Sequence, residues 1–570
     1  MEGPCEKSMG PKETRCSGMG SPEGSRCRKP LLHGCVFSVR QKGNIAGKTD
    51  HERVGDTHQL LLKECLISAN VNRPVPKRHD GWYERNEQSL LDYPDGSINR
   101  EKFRLHFMNL PQKLETKCHK YWKQNATKAG NKCQLCYNIN EVIHMKYKAR
   151  IADSLLKDKL DTFGAVLIIG PKGCGKTTTA KQQSKSVIEF QDEEKRDQYL
   201  STAKDAPSML LIGDKPRLFD EWQDAPKIWG AIRKSVDDEQ KTGLYILTGS
   251  TSKNVQVAHT GTMRISTMKM YPLSLYESEE SNGSVSLMEL FDNPDSFKGC
   301  ISNLTIKELI FAICRGGWPT CFKIKNESNK LDVADDLVYQ ICNKDISSID
   351  DVKRSPKLTN AILRSYSRNI CTLCDYKTIY QDVKSTNDTS DKSIGNYIDA
   401  LERLYIIEDI DPWCPAIRSK TAIRSGKKRN LIDPSIAVAS LGISPEYFNT
   451  DFKTLGFLFE SLCIRDLKIY SSKMRGEMSY YHDRYGLEAD GVLQLKDGRY
   501  ALLEFKLGSS EIDEGAKHLC EIERLIKEYN EKEKQMPLRL PDLKIVITGT
   551  EYGYRREDGV FVIPIGCLKD

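Results

Sequence analysis

Eight consecutive residues constrain this chain more than any other feature. Gly170, Pro171, Lys172, Gly173, Cys174, Gly175, Lys176 and Thr177 fit the pattern G-x-x-x-x-G-K-[ST] without a mismatch. Average residue frequencies give about 0.02 chance matches in a chain of this length. The apolar run Phe163 to Ile169 before it reads as a buried strand, and Lys176 to Phe190 after it reads as a helix. Strand, glycine-rich turn and helix N-terminus make an anion cradle. Glycines let backbone N–H groups curl around a phosphate with no Cβ in the way, and the helix dipole favours negative charge there. Lys176 then reaches the terminal phosphates, Thr177 offers a hydroxyl to Mg²⁺, and Gly170 through Thr178 wrap the nucleotide. ATP and Mg²⁺ are the cofactors this predicts.

An acid pair about 44 residues downstream strengthens the reading. Pro216 to Gln223 reads as a short strand ending in Asp220 and Glu221. In a nucleotide hydrolase the first acid holds Mg²⁺ and the second polarises the attacking water. A third strand, Gly243 to Ser250, ends in Thr248 and Ser250, two hydroxyls in position to meet the γ-phosphate or the water. The alternative for these two is a plain strand-to-turn transition, where hydroxyls are common.

The remaining composition sets limits. The chain has 570 residues, 39% hydrophobic and 29% charged, which predicts several domains. No apolar run approaches the roughly 20 residues that span a bilayer, and the start carries no apolar signal segment. A cytoplasmic protein with no membrane partner is expected. Nineteen cysteines at irregular spacing predict free thiols. Residues 1–144 hold 24 Lys/Arg against 16 Asp/Glu and form a basic, partly disordered extension. Within it Cys118, His119, Cys133, Cys136 and His144 pose a zinc site against free thiols.

The C-terminal part carries a second constellation. Tyr485 to Leu495 and Tyr500 to Leu507 read as two strands joined by an Asp-Gly turn. Glu504 and Lys506 are two apart and share one strand face, and Asp490 lies on the neighbouring strand. This is the D…E-x-K arrangement of the restriction-endonuclease-like fold. There Asp490 and Glu504 hold Mg²⁺ and Lys506 orients the hydrolytic water. Glu460, on a helix from Leu455 to Asp466, is a fourth candidate. Active nuclease and ion-paired remnant both remain open, because fold does not imply activity.

Several segments together resemble a family. They are Tyr147 to Asp153, the loop at 170–179, Asp220 to Trp229, Leu247 to Ser250, Tyr271 to Glu277, Arg315 to Pro319, Asp433 to Ala437 and Leu455 to Glu460. Their order over about 145–570 resembles prokaryotic AAA-type ATPases that carry a C-terminal domain called DUF4143. The resemblance implies an α/β P-loop NTPase core (AAA-type) at 145–275 and a helical lid at 276–345. A winged-helix domain at 346–440 and a restriction-endonuclease-like α/β domain at 441–570 follow. It implies ATP binding and hydrolysis, with Lys176 and Glu221 in those roles; Arg264 is a candidate γ-phosphate-sensing or inter-subunit arginine against a plain surface or structural arginine, and Met263 stands where such proteins often have glycine. In the winged-helix part, helices at 357–371 and 391–403 lead into a hairpin whose loop carries Arg418, Lys420, Arg424, Lys427, Lys428 and Arg429. Such a loop suits a phosphate backbone. Double-stranded DNA is the partner this suggests, with a homo-oligomer of the AAA kind. The competing reading is a nucleotide-dependent switch that binds a protein partner and carries an inactive nuclease-like domain.

Overall fold

The computed structural model describes residues 147–570 apart from 250–259, 351, 416–425 and 533–536. The chain divides into two units, Met1–Ile143 and His144–Asp570, and the described residues all belong to the second. The N-terminal extension with its Cys/His cluster lies outside the described residues, as do Ser250, Arg418, Lys420 and Arg424.

The first layer alternates helices and strands: α1 (Ile151–Thr162), β1 (Ala165–Ile169), α2 (Lys176–Gln183), β2 (Ser186–Glu189), α3 (Arg196–Asp205), β3 (Arg217–Asp220), α4 (Lys227–Glu239), β4 (Tyr245–Thr248) and β5 (Ile265–Lys269). The sheet order is β2-β3-β4-β1-β5, with every pairing parallel. Parallel strands need crossovers, so both faces of the sheet are covered and its strands read as continuous apolar runs. One face packs Phe190, Phe219 and Tyr245 under Ile228 and Ile232 of α4, and the other packs Val166, Ile168 and Leu218 with Leu156 of α1. The helix expected over 176–190 stops at Gln183, and the edge strand β2 follows. Ser184 ends the helix in extended backbone, and β-branched Val187 and Ile188 favour the sheet.

The register decides what faces the loop. Ile168 lies beside Thr248, Asp220 beside Thr248, and Ile169 beside Lys269. The last residues of β1, β3 and β4 therefore form one edge, and the glycine-rich loop leaves from that edge.

Next come β6 (Val285–Ser286), α5 (Leu287–Asp292), β7 (Cys300–Ile301), α6 (Ile306–Arg315) and α7 (Glu327–Asn343). The stretch expected as a lid is stitched to the end of the chain, because β7 pairs with β12 (Tyr552–Arg555) and β6 pairs with β14 (Leu568–Lys569). Helices α8 (Pro356–Arg368), α9 (Tyr376–Lys384) and α10 (Asp391–Arg403) follow, each opened by a side-chain cap from Ser355, Asp375 and Ser390. Helix α9 was not foreseen. Where a hairpin was expected, Ile407 bridges Leu431 and Ile410 bridges Lys428 as isolated pairs.

Helices α11 (Pro434–Leu441) and α12 (Phe452–Tyr470) lead to the second sheet. Its elements are β8 (Glu477–His482), β9 (Glu488–Gln494), β10 (Tyr500–Lys506), α13 (Ile512–Lys532), β11 (Leu543–Thr548) and β13 (Phe561–Pro564). The strand order is β7-β12-β13-β11-β10-β9-β8; β8, β9 and β10 run antiparallel, and β10 is parallel to β11. Ala501, Leu503 and Phe505 face the core that contains α12, while Tyr500 and Leu502 face α13.

Candidate active site

The loop is built as its glycines require. Gly170, Gly173 and Gly175 all have positive φ, and a Cβ on Gly170 would stand 2.2 Å from the Met270 carbonyl oxygen. Only glycine fits there. Lys176 is buried, and its ammonium donates to the carbonyls of Gly170 at 3.0 Å and Pro171 at 2.8 Å. The Thr177 hydroxyl donates to Asp220 Oδ1 at 2.7 Å, and the Thr248 hydroxyl donates to the same oxygen. Two hydroxyls around one carboxylate form a hard-oxygen donor set of the kind Mg²⁺ takes, so these residues fit that ion. Thr178 is exposed on the first turn of α2, Lys172 pairs with Asp345 at 2.6 Å, and Cys174 is buried.

Glu221 follows Asp220 in the left-handed region, with φ 53, and its carboxylate accepts a hydrogen bond from the side-chain amide of Gln223. Gln223 was visible in the sequence as part of Asp-Glu-Trp-Gln, but nothing there assigned it a role. Arg264 is elsewhere. It precedes β5, whose first residue pairs with the first residue of β1, so it lies at the sheet edge opposite the loop and pairs with Asp237 at 2.8 Å. The parallel register removes it from the phosphates of its own chain.

Arg150 braces the loop from beneath. It donates to the carbonyls of Cys174, Tyr271 and Pro272 and pairs with Glu277 at 3.0 Å. The segment Gly316 to Pro319 covers the loop from the other side, with Trp318 beside Gly173 and Pro319 beside Gly175. A buried polar network leads away from this cover. The Gly317 N–H donates to Asp433 at 3.1 Å, and the Trp318 indole donates to Ser435 at 2.9 Å. Arg465 of α12 donates to Asp433 at 2.8 Å and pairs with Asp466, which accepts from the Leu275 N–H.

The same helix α12 reaches a cavity of about 1000 Å³, lined among others by Phe452, Glu460, Lys428, Glu488, Asp490 and Lys506. Asp490 accepts from the Phe505 N–H at 2.9 Å and from the Lys506 ammonium at 3.4 Å, and Lys506 stands 2.6 Å from Glu504. Asp490, Glu504 and Lys506 therefore meet, as the spacing predicted. The pair expected to hold Mg²⁺, Asp490 and Glu504, lies around one ammonium. Glu504 is fully buried on the α13 face, under Gly515, and the ammonium lies between the two carboxylates. No group of three acidic, histidine or cysteine side chains that could hold a metal occurs among the described residues. Burial pushes the Glu504 carboxyl up to about 9, with the Asp490 charge adding and Lys506 opposing. His518 of α13, which the sequence did not single out, has Nδ1 3.5 Å from Glu504.

The basic run is only partly a loop. Lys428 and Arg429 are buried. Lys428 pairs with Glu460 at 2.8 Å and donates to the Asp490 carbonyl at 3.4 Å, while Arg429 pairs with Asp409 and lies over the Tyr376 ring. Burial raises the Glu460 carboxyl to about 8 against the pull of Lys428. These two cations are spent inside the fold and do not track a phosphate backbone; Lys427 remains half exposed beside Asp411. The signal lay in the next residues, since apolar Leu431 and Ile432 begin where the solvated run ends.

Comparison with known proteins agrees with the order read from the motifs. The AAA domain matches residues 162–279, a domain of unknown function (DUF8612) matches 306–447, and a domain of unknown function (DUF4143) matches 455–568. No curated protein sequence matches the chain. Among solved structures, the Walker-type ATPase PABY2304 of Pyrococcus abyssi is similar at 14% identity and TM-score 0.32, over 52% of this chain and 97% of that one. RuvB of Thermotoga maritima is similar at 14% identity and TM-score 0.22, over 52% and 92%. Likenesses this weak fix neither domain arrangement nor chemistry. The sequence matches do fix the order of parts: a match to the AAA domain at 162–279 is followed by a match to the DUF4143 domain at 455–568, the order the motifs led us to expect.

Proposed function

We propose that the chain binds ATP with Mg²⁺ at the 170–177 loop, hydrolyses it, and couples the nucleotide state to double-stranded DNA. One observation carries the nucleotide part: the Thr177 and Thr248 hydroxyls, from two separate elements, meet one oxygen of Asp220 on a third, and Thr177 adjoins the buried Lys176 in the chain. Thr177 and Asp220 hold the metal. Lys176 exchanges the Gly170 and Pro171 carbonyls for phosphate oxygens. Glu221 takes a proton from the attacking water as its oxygen bonds to the γ-phosphorus and the bond to the β-phosphate oxygen breaks. Magnesium, when bound, supplies charge neutralisation along the phosphates. In a homo-oligomer, Arg264 on the far edge meets a neighbour's nucleotide by exchanging its Asp237 partner for phosphate.

For the C-terminal domain we propose a restriction-endonuclease-like fold. Helix α12, antiparallel β8, β9 and β10, helix α13 and parallel β11 support it. A winged-helix role for 346–440 is supported by α8 and α10. We favour a cavity that grips rather than cuts, because Glu460, Asp490 and Glu504 are already partnered by lysines.

A second reading, the nucleotide-dependent switch with a protein partner, is favoured by the buried network from Gly317 and Trp318 through Asp433 to Arg465. The test is Mg²⁺-dependent ATP turnover with and without duplex DNA, beside Lys176→Ala. Turnover that DNA speeds and the variant lacks supports the first reading. Turnover indifferent to DNA favours the switch, and none above the variant overturns hydrolysis.

A further inference from the structure

We propose that Gln223 is a positioning residue of the nucleotide site: its amide nitrogen holds the Glu221 carboxylate and its amide oxygen is a second acceptor for the attacking water. This rests on the loop being an ATP-hydrolysing site. Gln223 sits on the short turn Trp222–Asp224 that follows Glu221, and the left-handed backbone at Glu221 folds the two side chains together. Since the partner is a carboxylate, the amide nitrogen must be the group facing it, and Oε1 points away.

That oxygen is buried and meets no donor among the described residues. Buried acceptors in native folds almost always have a donor, so an orphan at this place points to a ligand that brings one. Its surroundings identify the ligand. A Cβ on Gly249 would stand 2.9 Å from Gln223 Oε1 and 3.3 Å from Trp222 Nε1. Gly249 follows Thr248, whose hydroxyl donates to Asp220, and its N–H donates to the Ile168 carbonyl at 3.2 Å. The orphan oxygen thus lies at the sheet edge that carries the loop, between the water-activating acid and the end of β4. The tilted Trp222–Trp229 pair, 4.8 Å between centroids, holds the turn.

A water there gives one O–H to Glu221 and the other to Gln223. One acceptor leaves the water free to rotate; two fix its lone pair toward the γ-phosphorus. When the water oxygen bonds to phosphorus and ADP departs, the proton passes to Glu221. Gln223 gains and loses none.

The experiment uses the full chain with Gln223→Ala and, as a second variant, Gly249→Ala, which presses on Oε1 without removing it. The probes are ADP alone, ADP with aluminium fluoride, and ATP. In both variants ADP affinity and melting temperature stay at the parent values, while single-turnover hydrolysis falls about 10–100-fold. The extra affinity gained from aluminium fluoride falls by a similar factor. Unchanged turnover and fluoride tightening in both variants overturn the proposal. So does a parallel loss of ADP affinity and melting temperature, which marks a structural residue. A parent chain that binds ADP but has no turnover overturns the hydrolysis reading first, and this inference with it.

Discussion

The loop site and the C-terminal cavity both contain acids and a buried lysine, but they neutralise charge differently. At the loop, among the described residues, the hydrogen-bond partners of Asp220 are hydroxyls and those of the Lys176 ammonium are carbonyls, so an ionic partner for each is left for a ligand to supply. Around the cavity, Glu460 has Lys428, and Asp490 and Glu504 share Lys506, so these groups are largely partnered within the fold. The first arrangement is prepared for an anionic ligand and a cation; the second is prepared to stay folded. Two glutamates, Glu408 partly buried and Glu504 fully buried, make the same point. Burial pushes both up, but Lys468 at 3.2 Å, Lys269 at 2.7 Å and the Tyr271 hydroxyl hold Glu408 down at about 2. Glu504, with one ammonium and an acidic neighbour, rises to about 9. The number of partners, not burial alone, sets the sign.

The contrast breaks first if Lys176→Ala and Lys506→Ala act alike on ATP turnover. The former is expected to lower phosphate release by at least about 100-fold and the latter to leave it unchanged. Next in size is stability. Glu460→Ala strands a buried ammonium and should cost about 3–5 kcal/mol in urea unfolding, whereas pairing it with Lys428→Met should recover most of that. Thr177→Ala removes one hydroxyl–carboxylate bond and should cost only about 1 kcal/mol.

The pH dependence sharpens the comparison further. Glu504 in the folded chain keeps its proton up to about 9, whereas the unfolded carboxyl releases it near 4.5. The folded state therefore holds the extra proton across that window, and this contribution to stability is lost as pH rises toward 9. Glu504→Gln does not titrate, so its melting temperature should gain on the parent from pH 5 to pH 9. Glu408 runs the other way. Its stabilisation is present above about 4.5 and lost as pH falls toward 2, so Glu408→Gln should lag the parent most at neutral pH and converge with it in acid. The smallest effect belongs to Arg264→Ala. Its pair with Asp237 is 41% and 37% exposed, so less than about 1 kcal/mol is expected, with nucleotide affinity of the single chain unchanged. A loss of that affinity would contradict its place at the far edge.

How far each site was legible follows from how its residues are spaced. The loop motif is contiguous, and its demands are local: positive φ at Gly173 and Gly175, a helix starting at Lys176. Asp220 and Thr248 end short apolar strands, which periodicity also reveals. The cavity draws Lys428, Glu460, Asp490 and Lys506 from four distant stretches. The E-x-K spacing revealed which residues share a face, but not that this face is the one under α13. A run of cations looked like a solvated loop because charge usually is, and only the packing of 428–432 buries Lys428 and Arg429.

Residue order alone determined the nucleotide cradle, the strand-ending acids, the order of an AAA domain and a DUF4143 domain, and the pairing of Glu504 with Lys506. These depend on backbone sterics and on periods of two and 3.6 residues, which act over a few neighbours. Tertiary structure alone decided that Arg264 faces away from its own loop, that Lys428 serves Glu460, that residues 276–345 lend strands to the C-terminal elements, and that Gln223 points an unpaired oxygen at the edge of β4. Each depends on strand register or on burial against distant segments, and the energy of those contacts is not written in the local sequence.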